Sequence, residues 1–183
     1  MKYLKVMFQE NSRYKNFEYK VNEITVAPQW NPNAKTPQEM GGLNFSNEEN
    51  IVRWLHNGDT LYDVEVPSDA KVVCVEESAT PKGVFRSNKI IVKNPRKVTD
   101  EMALSFYEKS TIPETAYPKT LGGVSIMNYY KTAKRILEDK VTINNIEFFL
   151  EEWEDFISKK NRRDCNKTVR YIDTKLKEIK NQK

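Results

Sequence analysis

The chain is poor in the residues that usually announce a reaction: among its 183 residues are two cysteines, one histidine and six glycines. Cys74 and Cys165 are too few for a disulfide framework, so free thiols in a reducing compartment are the economical reading. No spacing of His, Cys and acidic residues matches a metal site, and no cofactor is expected. The Gly41-Gly42 and Gly122-Gly123 pairs lack the spacing and the lysine of phosphate-cradling loops and read as turns. No apolar run approaches the length of a membrane span. Met1 to Phe8 alternates apolar and charged residues instead of forming the apolar core of a signal peptide. Together these absences point to a soluble, cytoplasmic protein.

Aromatics, by contrast, are plentiful. Eight Phe, nine Tyr and three Trp bring enough large apolar area to offset chain entropy, so a folded chain is expected. The net charge of +4 conceals a segregation of signs. Residues 138–158 hold Lys140 against Glu138, Asp139, Glu147, Glu151, Glu152, Glu154 and Asp155, whereas residues 159–183 carry ten basic side chains against three acids. Such blocks imply a local positive field near the C-terminal end.

Hydrophobic periodicity divides the chain. Leu4, Val6 and Phe8 alternate with Lys5 and Met7, and Phe17, Tyr19 and Val21 alternate with Glu18 and Lys20. A polar stretch from Glu10 to Asn16 joins the two runs, which predicts a β-hairpin over residues 1–26. Ile24 and Val26 change phase, so a bend near Asn22 is expected. Residues 27–40, with Pro28, Pro32 and Pro37, read as a linker from which the hairpin projects. A sheet-rich core is expected over 41–98: a helix capped at Ser46-Asn47 and ended by Gly58, then strands at Thr60–Val66, Lys71–Val75 and Lys89–Lys93. Helices fill 99–183: one from Thr99 through Tyr107, one from Val124 to Leu137, one from Ile146 to Ile157, and one on Val169, Ile172, Leu176 and Ile179. The fold class is α+β, a single domain with its helical region packed on the core.

Basic and aromatic residues interleave in the hairpin: Lys2, Lys5, Arg13, Lys15 and Lys20 accompany Tyr3, Tyr14 and Tyr19. Lysine and arginine suit phosphates, and aromatic faces suit unpaired bases. The same lysines would equally serve to discourage edge-to-edge aggregation of an ordinary hairpin. Metal-free RNA cleavage needs a base for the ribose 2′-OH, a cation for the phosphate and an acid for the leaving oxygen. Glu10, Arg13 and Glu18 lie close enough in sequence to supply them, with Tyr14 and Lys15 beside them. Lys159, Lys160, Arg162 and Arg163 form a second phosphate-binding candidate, or a solvated tail balancing the acidic block before it. His56 is a candidate acid or base by its ordinary pKa, although its place in a last helical turn suits contact with terminal carbonyls. Trp153 belongs on a core face, which leaves Glu152 and Glu154 toward solvent.

Four stretches carry a resemblance: Gly41-Gly42-Leu43-Asn44-Phe45-Ser46, Ile51-Val52-Arg53-Trp54-Leu55, Gly58 through Pro67, and Phe85 through Val92. Over roughly residues 40–110 they resemble a family of small uncharacterised proteins of Gram-positive bacteria and their mobile elements. With its N-terminal hairpin, the chain is similar to anti-CRISPR proteins of streptococcal mobile elements that cause truncation of the guide RNA of the type II effector nuclease. That resemblance implies an RNA-directed hairpin, the effector nuclease and its guide RNA as partners, and action in the cytoplasm of a bacterial host. A weaker likeness, in Tyr62-Asp63-Val64-Glu65-Val66-Pro67, is to ADP-ribosyltransferase-like folds, but the chain lacks a convincing catalytic glutamate in a late strand. A non-catalytic module that blocks a nucleic-acid channel is the remaining alternative.

Overall fold

A computed structural model of the chain describes residues 1–11, 17–75, 83–158 and 162–182. The fold is α+β, and the chain divides into two compact units: Met1–Ile51 with Asn57–Val98, and Val52–His56 with Thr99–Lys183.

In the first unit, among the described residues, seven strands make one sheet: β1 (Tyr3–Met7), β2 (Ile24–Val26), β3 (Leu43–Asn47), β4 (Thr60–Glu65), β5 (Val72–Val75), β6 (Val84–Ser87) and β7 (Lys89–Lys97). Their order is β2-β7-β4-β1-β3-β6-β5, and every strand pair is antiparallel. Strand β1 therefore lies in the middle. It sets Tyr3 opposite Val64 on β4 and Asn47 on β3, and its Leu4, Lys5, Val6 and Met7 are all buried.

The expected free-standing hairpin over residues 1–26 is thus corrected. Strand β1 is buried on both faces, and an isolated two-stranded hairpin would cover neither. Residues 24–26 pair instead with β7 at the far edge of the sheet, three places from β1. The bend expected near Asn22 is present, with Asn22 in the left-handed region at φ 64°. The segment after it, read as a linker, is tied down. The Ala27 amide donates to Asn88 O, Trp30 bridges Gly41, and a single helical turn, α1 (Pro37–Met40), is capped by the Thr36 hydroxyl. Gly41, which bridges Trp30, and Gly42 both take positive φ, 65° and 79°, where glycine is free of strain.

Phe45, Ser46 and Asn47 lie in β3 and not before a helix cap, and the helical stretch that follows is a 3-10 segment, Ile51–Asn57. One face of the sheet gathers Met7, Leu43, Phe45, Tyr62, Val64, Phe85, Ile90 and Val92, with Tyr3 edge-on to Phe45 and Phe85 at 5.0 Å. Tyr19 is buried among them, so the chain after β1 folds back onto this face.

The second unit is helical: α2 (Asp100–Glu108), α3 (Tyr117–Ile126), α4 (Tyr130–Lys140), α5 (Ile146–Trp153) and α6 (Lys167–Lys180). Thr99 caps α2 through the Met102 amide, and Asn166 caps α6 through that of Val169. The helix expected from Val124 to Leu137 is two helices, because Asn128 turns the chain at φ 60°. Gly122 and Gly123 are helical residues of α3 and not a turn. A Cβ on Gly122 would lie 2.6 Å from the Phe156 ring, and one on Gly123 would lie 3.2 Å from His56 Nδ1. Helix α5 runs on into one π-helical turn, Glu154–Ser158, which keeps Phe156 and Ile157 buried after Trp153.

The close approach of Gly58 to β1 tests the central placement of that strand. A Cβ there would meet the Met7 backbone at 2.0 Å. Gly58→Ala is expected to cost about 3 kcal/mol through overpacking against an immovable strand. An unchanged melting temperature in thermal denaturation would refute this arrangement.

Candidate functional site

At the end of β1 two sequence-predicted site residues meet. Gln9 adopts φ 53°, and Phe8 and Asn11 exchange amide–carbonyl hydrogen bonds of 3.2 and 3.1 Å, which closes a tight turn. Asn11 then bridges Glu18, and the Tyr19 amide donates to Glu10 O at 2.8 Å. The backbones of Glu10 and Glu18 are thereby drawn together, both residues being exposed. Arg13, Tyr14 and Lys15, between them in sequence, lie outside the described residues. The Tyr62 hydroxyl donates to Gln9 O at 2.6 Å and fastens this turn to β4. Its phenol is pushed up by burial and by the nearby Glu10 and Asp59 charges.

The remaining predicted RNA contacts separate into exposed and engaged. Lys20 is exposed. Lys2 is exposed as well, 3.9 Å from Asp63, in an open groove with Tyr3, Glu65 and Lys93. The other cations along this stretch of β7 are matched by carboxylates, Lys93 with Glu65 at 2.6 Å and Arg96 with Asp63 at 2.8 Å.

Lys5 departs from expectation. It is 5% exposed, in a strand where the sequence suggests an outward lysine, so it is withdrawn from phosphate contact. Its Nζ donates to Asn44 O at 2.7 Å and Asn44 Oδ1 at 2.8 Å and lies 4.8 Å above the Tyr19 ring. No carboxylate appears among these partners. Arg86 adds like charge while itself donating to Gly41 O at 2.7 Å. Burial first, and Arg86 second, pull the Lys5 ammonium down to about 7. Burial likewise pushes the Tyr19 phenol far up, so it stays neutral. No feature of the sequence singles Lys5 out, because strict alternation assigns it to a wet face.

Arg163 is also diverted from a phosphate-binding role. Its guanidinium bonds both Glu154 and Asp173, and Asp173 in addition accepts from Trp153 Nε1 at 3.1 Å and from Lys177 at 2.7 Å. Burial would raise the Asp173 carboxyl, but hydrogen bonds from Lys177 and Trp153 and the Arg163 charge outweigh it and hold it below the usual range. Trp153 is buried, as its position suggests, and Glu152 pairs with Lys119 at 3.1 Å. Arg162 is partly exposed, and Lys159 and Lys160 lie outside the described residues. His56 packs edge-on to Phe156 at 5.4 Å within the helical unit. Cys74 and Cys165 are exposed thiols. Among the described residues no cluster of His, Cys, Asp and Glu could hold a metal, and no helix is long and apolar enough to cross a membrane.

The buried amine sets a pH signature for the sheet unit. Folded Lys5 releases its proton near 7 and an unfolded lysine near 10.5, so between these values the unfolded chain binds more protons and stability rises with pH. The rise is expected to reach about 2 kcal/mol between pH 7 and pH 9 in urea titrations, and Lys5→Met is expected to abolish it. Equal slopes in the two proteins would show that the amine is solvated.

Comparison with known proteins returns no matching family, no similar curated protein and no similar solved structure.

Proposed function

We propose that this chain inhibits a type II CRISPR effector nuclease by binding its complex with guide RNA and promoting truncation of that RNA. The observation that carries the reading is the backbone approach of Glu10 and Glu18, which flank in sequence Arg13, Tyr14 and Lys15. One carboxylate takes the proton of a ribose 2′-OH, whose oxygen attacks the adjoining phosphorus. Arg13 and Lys15 hold the non-bridging oxygens as charge builds. The 5′ oxygen of the next nucleotide leaves with a proton from the second carboxyl group, and the upstream fragment ends in a 2′,3′-cyclic phosphate. Tyr14 stacks on a base beside the scissile bond, and Lys2, Lys20 and Arg162 contact backbone phosphates. Lys5 and Arg163 are no longer part of the RNA-binding set, since burial occupies one and carboxylates the other.

The test is a denaturing gel of guide RNA with effector alone, with this protein alone and with both. A shortened band only when both are present is expected, and its loss with Arg13→Ala/Lys15→Ala and with Glu10→Gln/Glu18→Gln. Truncation that survives the glutamine pair but not the alanine pair would move the bond-breaking chemistry to the partner. Intact guide with DNA cleavage still blocked would assign a non-catalytic inhibitor. Unimpeded DNA cleavage would sink the reading altogether.

A further inference from the structure

The helical unit carries a paired aromatic surface that the reading above does not use. Tyr130 opens α4 and Tyr171 lies in the second turn of α6. Their rings meet edge to face, with centroids 5.2 Å apart and planes at 60°. Tyr130 remains 37% exposed, and Tyr171 is partly exposed. One helical turn beyond each tyrosine stands a lysine, Lys134 on α4 and Lys175 on α6, and Lys175 Nζ is 6.0 Å from the Tyr171 ring centre. Lys167 and Arg170, also exposed, precede Tyr171 on α6.

We propose that this α4–α6 face is a stacking platform for single-stranded nucleic acid, with Tyr130 and Tyr171 taking bases and Lys134 and Lys175 the flanking phosphates. Any base offers a π-face to a ring, and the spacing of one helical turn sets a cation beside each ring. Both lysines have carboxylate neighbours: Lys134 meets Glu138 at 3.6 Å, and Lys175 meets Glu178 at 2.6 Å. These pairs are about half exposed, so each is worth little and yields to a phosphate. Partial burial and the adjoining Tyr130 hold the Tyr171 phenol above its ordinary value, so no phenolate there repels the strand. An acidic peptide would satisfy the lysines but leave the exposed parts of the two rings unused. The platform is independent of guide truncation and stands or falls by direct binding.

The experiment is fluorescence anisotropy of the full chain with a short fluorescein-labelled single strand, as RNA and as DNA, over a salt series. Tyr130→Leu/Tyr171→Leu is expected to weaken binding about tenfold or more. Lys134→Gln/Lys175→Gln is expected to flatten the slope of log affinity against log salt by about 1.4. Glu138→Gln/Glu178→Gln acts in the opposite sense: it frees both lysines and tightens binding, so the proposal stays falsifiable even if the leucine pair perturbs folding. Comparable binding of RNA and DNA supports stacking, which ignores the sugar. Wild-type protein that binds no single strand would overturn the proposal, as would all three variants at wild-type affinity. A duplex that competes as well as the single strand would overturn it too.

Discussion

Strand β1 joins the two halves of the sheet. On one side it bonds β4 and through it β7 and β2; on the other it bonds β3, and through it β6 and β5. Without those five residues the sheet falls into two separate triplets, each with a raw edge. Every feature of the candidate site follows from this position. The tight turn at Gln9 is held because β1 ends against β4, and the Tyr62 hydroxyl clamps the turn from that neighbour. Tyr19 is buried because the chain leaving the turn must return across the apolar face that β1 helps to build. Glu10 and Glu18 are therefore held next to a strand that is bonded on both edges, which suits groups that must be positioned.

Charge tells a parallel story in the helical unit. The acidic and basic blocks are separate in sequence but meet in space: Arg163 reaches Glu154, and Lys180 reaches Glu147 at 3.1 Å. Arg163, Trp153 and Lys177 converge on Asp173, a carboxylate that is mostly buried and needs several donors to be tolerated there. The positive field implied by the composition is consequently spent in part on the fold. Lys134 and Lys175, whose carboxylate partners are exposed, stand one helical turn beyond the paired tyrosines.

Much of the architecture was legible in the residues. The α+β class, the Thr99 start of α2, the Gly58 stop and the apolar faces of α5 and α6 follow from period and capping. The hairpin was misread because alternation reports which residues differ across a strand and not which strands are neighbours. Met7 and Lys5, on the supposed polar face, are buried by a segment that returns over them. Asn128 splits a helix that periodicity alone runs together, since an asparagine can take the left-handed conformation without a glycine to signal it. The Gly122-Gly123 pair looks like a turn until the Phe156 ring and His56 are seen against it. Of the candidate site, the closeness of Glu10 and Glu18 was readable from sequence spacing, whereas the fates of Lys5 and Arg163 depend on residues distant in sequence: Asn44, Glu154 and Asp173.

The central strand has a temporal consequence. During synthesis β1 emerges before β3 and well before β4, the neighbours that satisfy its two edges. Until Glu65 has left the ribosome, a strand with Leu4, Val6 and Met7 along it has no native partner on one side. The pairings of this sheet join residues far apart in sequence, a topology that folds slowly because loop closure must come before the contacts that reward it. The apolar β1 segment is thus made well before the strand that covers one of its edges, an interval in which molecular chaperones have a segment to shield.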